Sequence, residues 1–444
     1  MAPGSAQRPL ARRRVLTGAL TGAGLFGIGL AAPGLPARIE SLKKSDPVRS
    51  VAAAYVSDAE RAALSSAAAR DLPPRSRVLP GTGTRAAAER ERDFLAVAAP
   101  WLAKVPERLV DLAVSALLDL WILSDDLPGP VASWSGAWRY IWPRDTAFVA
   151  AALAAVGHAE LAWGQLRHLQ ALQGEDGWFA ARYDPETGSV PDDRAPQLDA
   201  VGLVLWSIAE VGAASEPETP APAPARSLSE LEPMIDRSAA LLDELTGSGR
   251  TLPPVSPDYW EVGEGRITLG IAAPTLIGLR ALTSLGDAGT AERLGERTAV
   301  AEAFTETFAR TFGAGGLQRY PSSGGFDSAA AYLPASGMGP DLVDAAALDR
   351  MGERLRQPAG GIRPGTGWIL DDASWTPSTS LLALGYARLG ESARAEAVLD
   401  WLAGHRTASG SLPEKVDGEG TPVSVAPLAW TAANVVLALD ALRG

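Results

Sequence analysis

A chain of 444 residues with 46% hydrophobic and 21% charged side chains carries enough apolar material for a large core and is not a disordered tail. Its formal charge of −12 argues against a nucleic-acid partner, whose phosphates are gripped by clustered Lys and Arg; a neutral substrate fits better. The lack of cysteine excludes disulfides, thiolate catalysis and thiol-ligated zinc, and three histidines, His158, His168 and His405, make an imidazole-based metal cluster unexpected, so neither metal nor cofactor is expected.

Residues 1–37 stand apart. The stretch RRRVLTGALTGAGLFGIGLAAPGLPA opens on Arg12, Arg13 and Arg14 and runs on without charge, the layout of an export signal, and the paired arginines point to the twin-arginine route. A single N-terminal membrane anchor is the other reading, weakened by the many glycines. The expected location is thus outside the cytoplasm, secreted or tethered to the outer face of the cytoplasmic membrane, with any membrane association confined to this segment. Residues 38–84 read as linker and helical lead-in, and 85–444 as one helical domain.

Beyond residue 50 the pattern is helical, in two alternating kinds. Stretches 145–156, 197–211, 267–284, 375–389 and 425–442 are apolar almost all round, as helices buried on every side must be. Between them, 158–173, 228–246, 291–312, 341–357 and 391–406 are amphipathic; in the last, Ala395, Val398, Leu399 and Leu402 share one face and Arg394, Glu396 and Asp400 the other. A short apolar segment, 326–333, supplies a sixth inner position, and the helical lead-in over 85–124 the missing outer one. Six apolar helices behind six amphipathic ones make an all-α (α/α)6 toroid barrel. The Pro-rich stretch 215–225 reads as a surface loop within it, since the alternation resumes on its far side.

All inner helices of such a ring start at one end, and the chemically loaded loops precede those starts: WRYIWPRD (138–145), PQLD (196–199), YWEVGEGR (259–266), LQRYPSSGGFD (317–327), DDASW (371–375) and LPEKVDGEGTP (412–422). Glu261 stands before the third inner helix and Glu414 before the sixth, so they face each other across the opening. Opposed carboxylates in a pocket for a neutral substrate suit hydrolysis of a glycosidic bond, one as protonated acid for the leaving oxygen and one as base for water. Thirteen tryptophans against eight phenylalanines and seven tyrosines agree, because sugar C–H faces pack on indole; Trp138, Trp142, Trp178, Trp260 and Trp375 fall in or beside these loops. Structural readings exist for each group. Asp145 suits a helix N-cap, Asp199 an early-turn acid, Arg144 an ion pair with Asp145, and the two glutamates solvated surface charges; what joins them is their shared end of the ring.

At these loops the sequence resembles glycoside hydrolase family 15, the glucoamylases and related exo-acting α-glucosidases and trehalases. YIWPRDTAF resembles the family's Y-x-W-x-R-D segment, APQLDAVGLVLWSI its Q-x-D helix start, DYWEVGEGRITLGIAAPTLIGLRAL the segment of the general acid, and GSLPEKVDGEGTPVSVAPLAWTAANVVLAL that of the general base. The resemblance spans about 136–444. It implies a glycosidase domain that removes terminal α-linked glucose from an oligosaccharide or polysaccharide with inversion, with Glu261 as acid and Glu414 as base. It also implies that Arg144 and Asp145 grip the terminal sugar in a site shared with Trp142, Gln197, Asp199, Trp260, Trp375 and the pair Arg319 and Tyr320. The sequence departs from the family in having Val262 where fungal members carry a second acid, Lys415 after the base, and a short lead-in in place of a β-sandwich. A trehalase on the same barrel and a non-catalytic glycan-binding protein are the alternatives; a polysaccharide lyase would want a Tyr or His base and a basic cleft.

Overall fold

The computed structural model describes residues 47–81, 83–214, 228–285 and 291–443. The export segment 1–37 and the Pro-rich stretch 215–225 therefore lie outside the described residues. Six inner helices form the barrel: α3 (Pro143–Ala155), α5 (Asp199–Ala214), α7 (Leu269–Ser284), α9 (Tyr332–Ala335, entered through a 3-10 turn, Ser328–Ala331), α11 (Thr376–Arg388) and α13 (Ala429–Ala441). Each packs on the next, and α13 packs on α3 and closes the ring. The outer helices are α2 (Val110–Ser124), α4 (Ala159–Leu172), α6 (Glu232–Leu245), α8 (Ala291–Phe308), α10 (Ala345–Leu355) and α12 (Ser392–Gly404). This is the (α/α)6 barrel.

Burial follows the two sequence patterns. Every residue of α3 from Pro143 to Ala154 and of α13 from Ala429 to Leu439 is buried, whereas α10 buries only Leu348, Met351, Gly352 and Leu355, one helical stripe. Pro143 starts α3, where its missing N–H costs nothing, and the Asp344 carboxylate accepts from the Ala347 N–H at 2.7 Å to open α10. α5 and α7 touch backbone to backbone. A Cβ at Gly202 would fall 1.9 Å from the Pro274 carbonyl oxygen, and one at Gly278 2.5 Å from the Gly202 Cα, so this contact admits only glycine.

The lead-in departs from a run of helix. Residues 52–55 (β1) and 61–64 (β2) pair as an antiparallel hairpin where 38–84 reads as linker and helix. Ala52–Ala54 are good helix formers, but their burial, with β1 against α2, overrides propensity. Helix α1 (Arg85–Leu102) lies over α2, which explains why α2, although an outer helix, is buried from Leu112 to Leu123. The segment before β1 reaches the far end of the sequence: the Arg49 N–H donates to the Ser424 carbonyl at 2.7 Å and Ser50 Oγ to the Ala426 carbonyl at 3.0 Å. Among the described residues no helix is long and apolar enough to cross a membrane.

Candidate active site

The starts of the inner helices converge on a cavity of about 290 Å³ whose walls include Trp138, Trp142, Arg144, Asp145, Tyr259, Trp260, Glu261, Trp368, Trp375, Glu414 and Trp430. Glu261 and Glu414 thus share one pocket. Its size, at the lower end for small-molecule sites, suits a chain end rather than the middle of a polymer. Trp260, Trp368 and Trp375 meet edge to face, with ring centroids 5.3 and 5.0 Å apart. The indole N–H groups of Trp142, Trp260, Trp368 and Trp430 have no acceptor among the described residues. A wider groove of about 650 Å³ between α1 and α4 contains none of the sequence-predicted site residues.

Glu414 sits at the foot of a short hairpin, β3 (Lys415–Val416) with β4 (Pro422–Val423), whose connecting loop is closed by the Asp417 N–H donating to the Thr421 carbonyl at 2.9 Å, with Gly420 at φ +87°. The hairpin brings Ser424 opposite Glu414, and the Ser424 hydroxyl donates to Oε2 while the Trp138 indole donates to Oε1 at 3.0 Å. Both contacts leave the carboxylate as an acceptor. On the outer side Lys415 lies 4.0 Å over the Trp375 ring and pairs with Asp371 at 3.3 Å.

Glu261 is placed by Asp258. The Asp258 carboxylate accepts from the Trp260 N–H at 3.0 Å and from Thr268 Oγ1 at 2.7 Å, tying the loop to the start of α7, and the Glu261 N–H donates to the Asp258 carbonyl at 2.8 Å. The resulting turn holds Glu261 at φ +55°, an unusual conformation for a glutamate and one found at functional positions. Its setting is ionic. Arg144 Nη2 stands 3.3 Å from Oε1 and Arg194 Nη1 2.7 Å from Oε2.

Arg144 is the buried hub of this side. Its Nη1 donates to Gln197 Oε1 and Asp199 Oδ2, each at 2.9 Å, and its guanidinium lies 5.4 Å from the Trp430 ring centre. Gln197 and Asp199 therefore hold Arg144 and do not line the cavity, so their part is to orient the residue that does. Asp145 is not the cap, since Trp142 holds the N-cap position; its carboxyl accepts from its own backbone N–H, and its nearest ionic partner, Arg144 Nε, is 3.7 Å away. Burial, with Arg144 opposing and Glu261 and Asp199 assisting, pushes the Asp145 carboxyl up to about 7; burial likewise pushes Asp199 to about 6, against Arg144.

Arg319 and Tyr320 lie behind the wall instead of in it. The Arg319 guanidinium stacks 3.5 Å under the Trp260 ring and pairs with Asp258 at 3.2 Å, Asp327 at 2.7 Å and Glu264; Tyr320 donates to Glu264 at 3.1 Å. A buried cation beneath an indole supports the stacking face without touching a ligand in front of it. Trp178 packs on the core away from the cavity, and His158 stacks on Phe94 with ring centres 4.0 Å apart, a packing role. The sequence patterns assign no function to Ser424, Arg182, Arg194, Tyr259, Trp368 or Trp430; of these, Trp430 has a signal, its place in the first turn of an inner helix.

Asp145 supplies a test in which activity and stability part. Its folded value lies above the ordinary carboxylate value, so the folded state holds the proton longer than the unfolded chain, and stability declines as pH rises from about 4 to about 7. Asp145→Asn removes the charge that must be buried. At about 1.4 kcal/mol per pH unit between the two values, the variant is expected to be up to ~4 kcal/mol more stable than the parent at pH 8 and no more stable at pH 4, while losing affinity for the ligand of this cavity. Urea titrations at both pH values check this; equal differences at the two would refute it.

No protein-family model matches the sequence, and no curated protein matches it. Solved structures do match in fold. A protein named "Glycosidase" superposes with a TM-score of 0.63 at 20% identity over 78% of this chain and 98% of its own, and a glutamate-to-alanine variant of a glycosidase in complex with glucose with a TM-score of 0.62 at 19% identity over 78% and 98%. A bacterial glucoamylase complexed with acarbose has a TM-score of 0.58 at 15% identity over 82% of this chain and 62% of its own, and the glucoamylase of Saccharomycopsis fibuligera 0.58 at 12% over 78% and 95%. The barrel is thus the architecture that these glucoamylases share.

Proposed function

We propose that the protein is an exported, inverting exo-glycosidase that removes terminal α-linked glucose from an oligosaccharide, with Glu261 as general acid and Glu414 as general base. The observation that carries this reading is the meeting of two carboxylates, from the loops before α7 and α13, in one small tryptophan-walled cavity. Fold neighbours that include a glycosidase with glucose and a glucoamylase with acarbose support it. Export rests on the sequence of residues 12–37 alone.

In this reading the terminal sugar packs its C–H faces on the indoles, and Arg144 and Asp145 hold its hydroxyls, which fixes the anomeric carbon between the two glutamates. Glu261 delivers a proton to the bridging oxygen as the bond from that oxygen to the anomeric carbon breaks. Water adds to the opposite face and gives its proton to Glu414, whose oxygens are oriented by Trp138 and Ser424. The products are a free alcohol on the leaving group and a sugar of inverted configuration; exchange with solvent then returns the proton to Glu261 and removes the one on Glu414.

Proton NMR of the first sugar released from maltose, isomaltose and trehalose tests this. The β anomer is expected first, since one displacement at an α centre inverts it; the α anomer first would overturn inversion. Hydrolysis of trehalose alone would assign a trehalase, and saturable glucose binding without hydrolysis of any α-glucoside would assign a glycan-binding protein.

A further inference from the structure

Glu261 is held by two unequal cations. Arg144 is 5% exposed and shared among Asp145, Asp199 and Gln197; Arg194 is 40% exposed, in the irregular loop before α5, and makes the shorter contact with Glu261. With both carboxylate oxygens accepting from guanidiniums, neither is free to face the leaving oxygen, where a general acid must stand. We propose that Arg194 is a displaceable clamp on Glu261, a positioning residue that holds the acid and swings onto Asp192 when substrate enters, so that Oε2 of Glu261 is freed toward the leaving oxygen. The proposal rests on the glycosidase reading and names a device that the reading itself does not contain.

The geometry provides the landing place. Arg194 Nε already lies 3.3 Å from Asp192 Oδ2, the same oxygen that Arg182 grips. Arg182 is immobile by comparison: it is buried, donates to the Ala137 carbonyl at 2.7 Å and stacks on Tyr140 and Trp142 at 4.2 and 5.2 Å. Leaving Glu261 therefore does not strand the Arg194 charge. Glu261 keeps a cation when Arg194 leaves, since Arg144 still stands 3.3 Å from Oε1; the other charged groups of this side are Asp145 from α3, Asp199 from α5, and Asp258 and Glu264 from the loop of Glu261, both bound by Arg319, with Glu414 across the pocket. The chain Glu261, Arg194, Asp192, Arg182 and the Ala137 carbonyl runs around the mouth to Trp138, the donor to Glu414, so one loop links the surroundings of both glutamates.

The test is KM and kcat for the parent, Arg194→Ala and Arg194→Lys, with maltose and with α-glucosyl fluoride, whose fluoride departs without a proton. For maltose, Arg194→Ala is expected to lower KM several-fold, because entry no longer breaks an ion pair, and Arg194→Lys should restore most of the parental KM. With the fluoride, whose departure asks nothing of Glu261, KM should not move. A raised KM on both substrates would make Arg194 an ordinary substrate contact, and an unchanged KM on maltose would make it structural; either overturns the clamp while leaving the glycosidase reading intact. A parent inactive on every α-glucoside overturns both.

Discussion

Glu261→Gln and Glu414→Gln are each expected to lower kcat on maltose by roughly 10²–10⁴-fold, the range for losing a positioned acid or base, while glucose still binds. Both side chains line the cavity, and glutamine keeps their volume and one acceptor oxygen, so the loss falls on proton transfer and not on shape. The leaving group tells the two roles apart. With α-glucosyl fluoride no proton is needed at departure, so Glu261→Gln should recover most of its lost rate, whereas Glu414→Gln should stay impaired because water still has no base. Recovery in the Glu414 variant instead would exchange the roles, and unchanged turnover of maltose in either variant would remove that residue from the chemistry. The surroundings of Glu414 agree with a base: a donor-only indole and a serine hydroxyl point at its oxygens.

The second large effect is expected behind the wall. Arg319→Met leaves Asp258, Asp327 and Glu264 around an uncharged side chain in a place where all three are buried. Removing one member of a buried ion network costs roughly 3–5 kcal/mol, because the partners keep their desolvation penalty and lose their counter-charge. For about 400 ordered residues that corresponds to a fall in Tm of roughly 4–6 °C. The deficit should shrink as pH falls, because burial already pushes the Asp327 carboxyl upward, against Arg319, and protonation removes its stranded charge. Activity should fall further than melting accounts for, since Asp258 anchors the turn of Glu261 and Arg319 supports the Trp260 ring. Calorimetry and kinetics on one preparation decide it: an unchanged Tm at pH 7 would show that the network contributes nothing net.

How far the fold was legible depended on whether an element declares itself locally. The inner helices do, because a helix buried on every side has apolar residues at every phase, and their observed ends fall close to those read from the sequence, as with 375–389 against Thr376–Arg388. The fourth inner position was readable only as a short apolar segment and is indeed a single 3-10 turn followed by a short helix. The hairpin at residues 52–64 was not legible, since its alanines favour helix and only the buried surroundings make them strand. Within the site, position around the ring sufficed to bring Glu261 and Glu414 into one cavity, and Trp142, Arg144, Asp145, Trp260 and Trp375 with them. It did not reveal which charges neutralise which. Arg319 reaches Asp258 from 61 residues away, and Arg194 reaches Glu261 from 67; neither spacing has a period, so both pairings come from tertiary closure.

That closure has an order imposed by synthesis. The helix at 429–441 is wedged between the first and fifth inner helices, so a nascent polypeptide exposes an unsealed crescent until those residues leave the ribosome. Glu414 and its hairpin can then dock, and Ser50, made hundreds of residues earlier, can bond Ala426. The pocket in this architecture is therefore finished only once residues 429–441 are in place, and a fragment cut short of Ala429 would have neither a sealed interior nor a finished pocket.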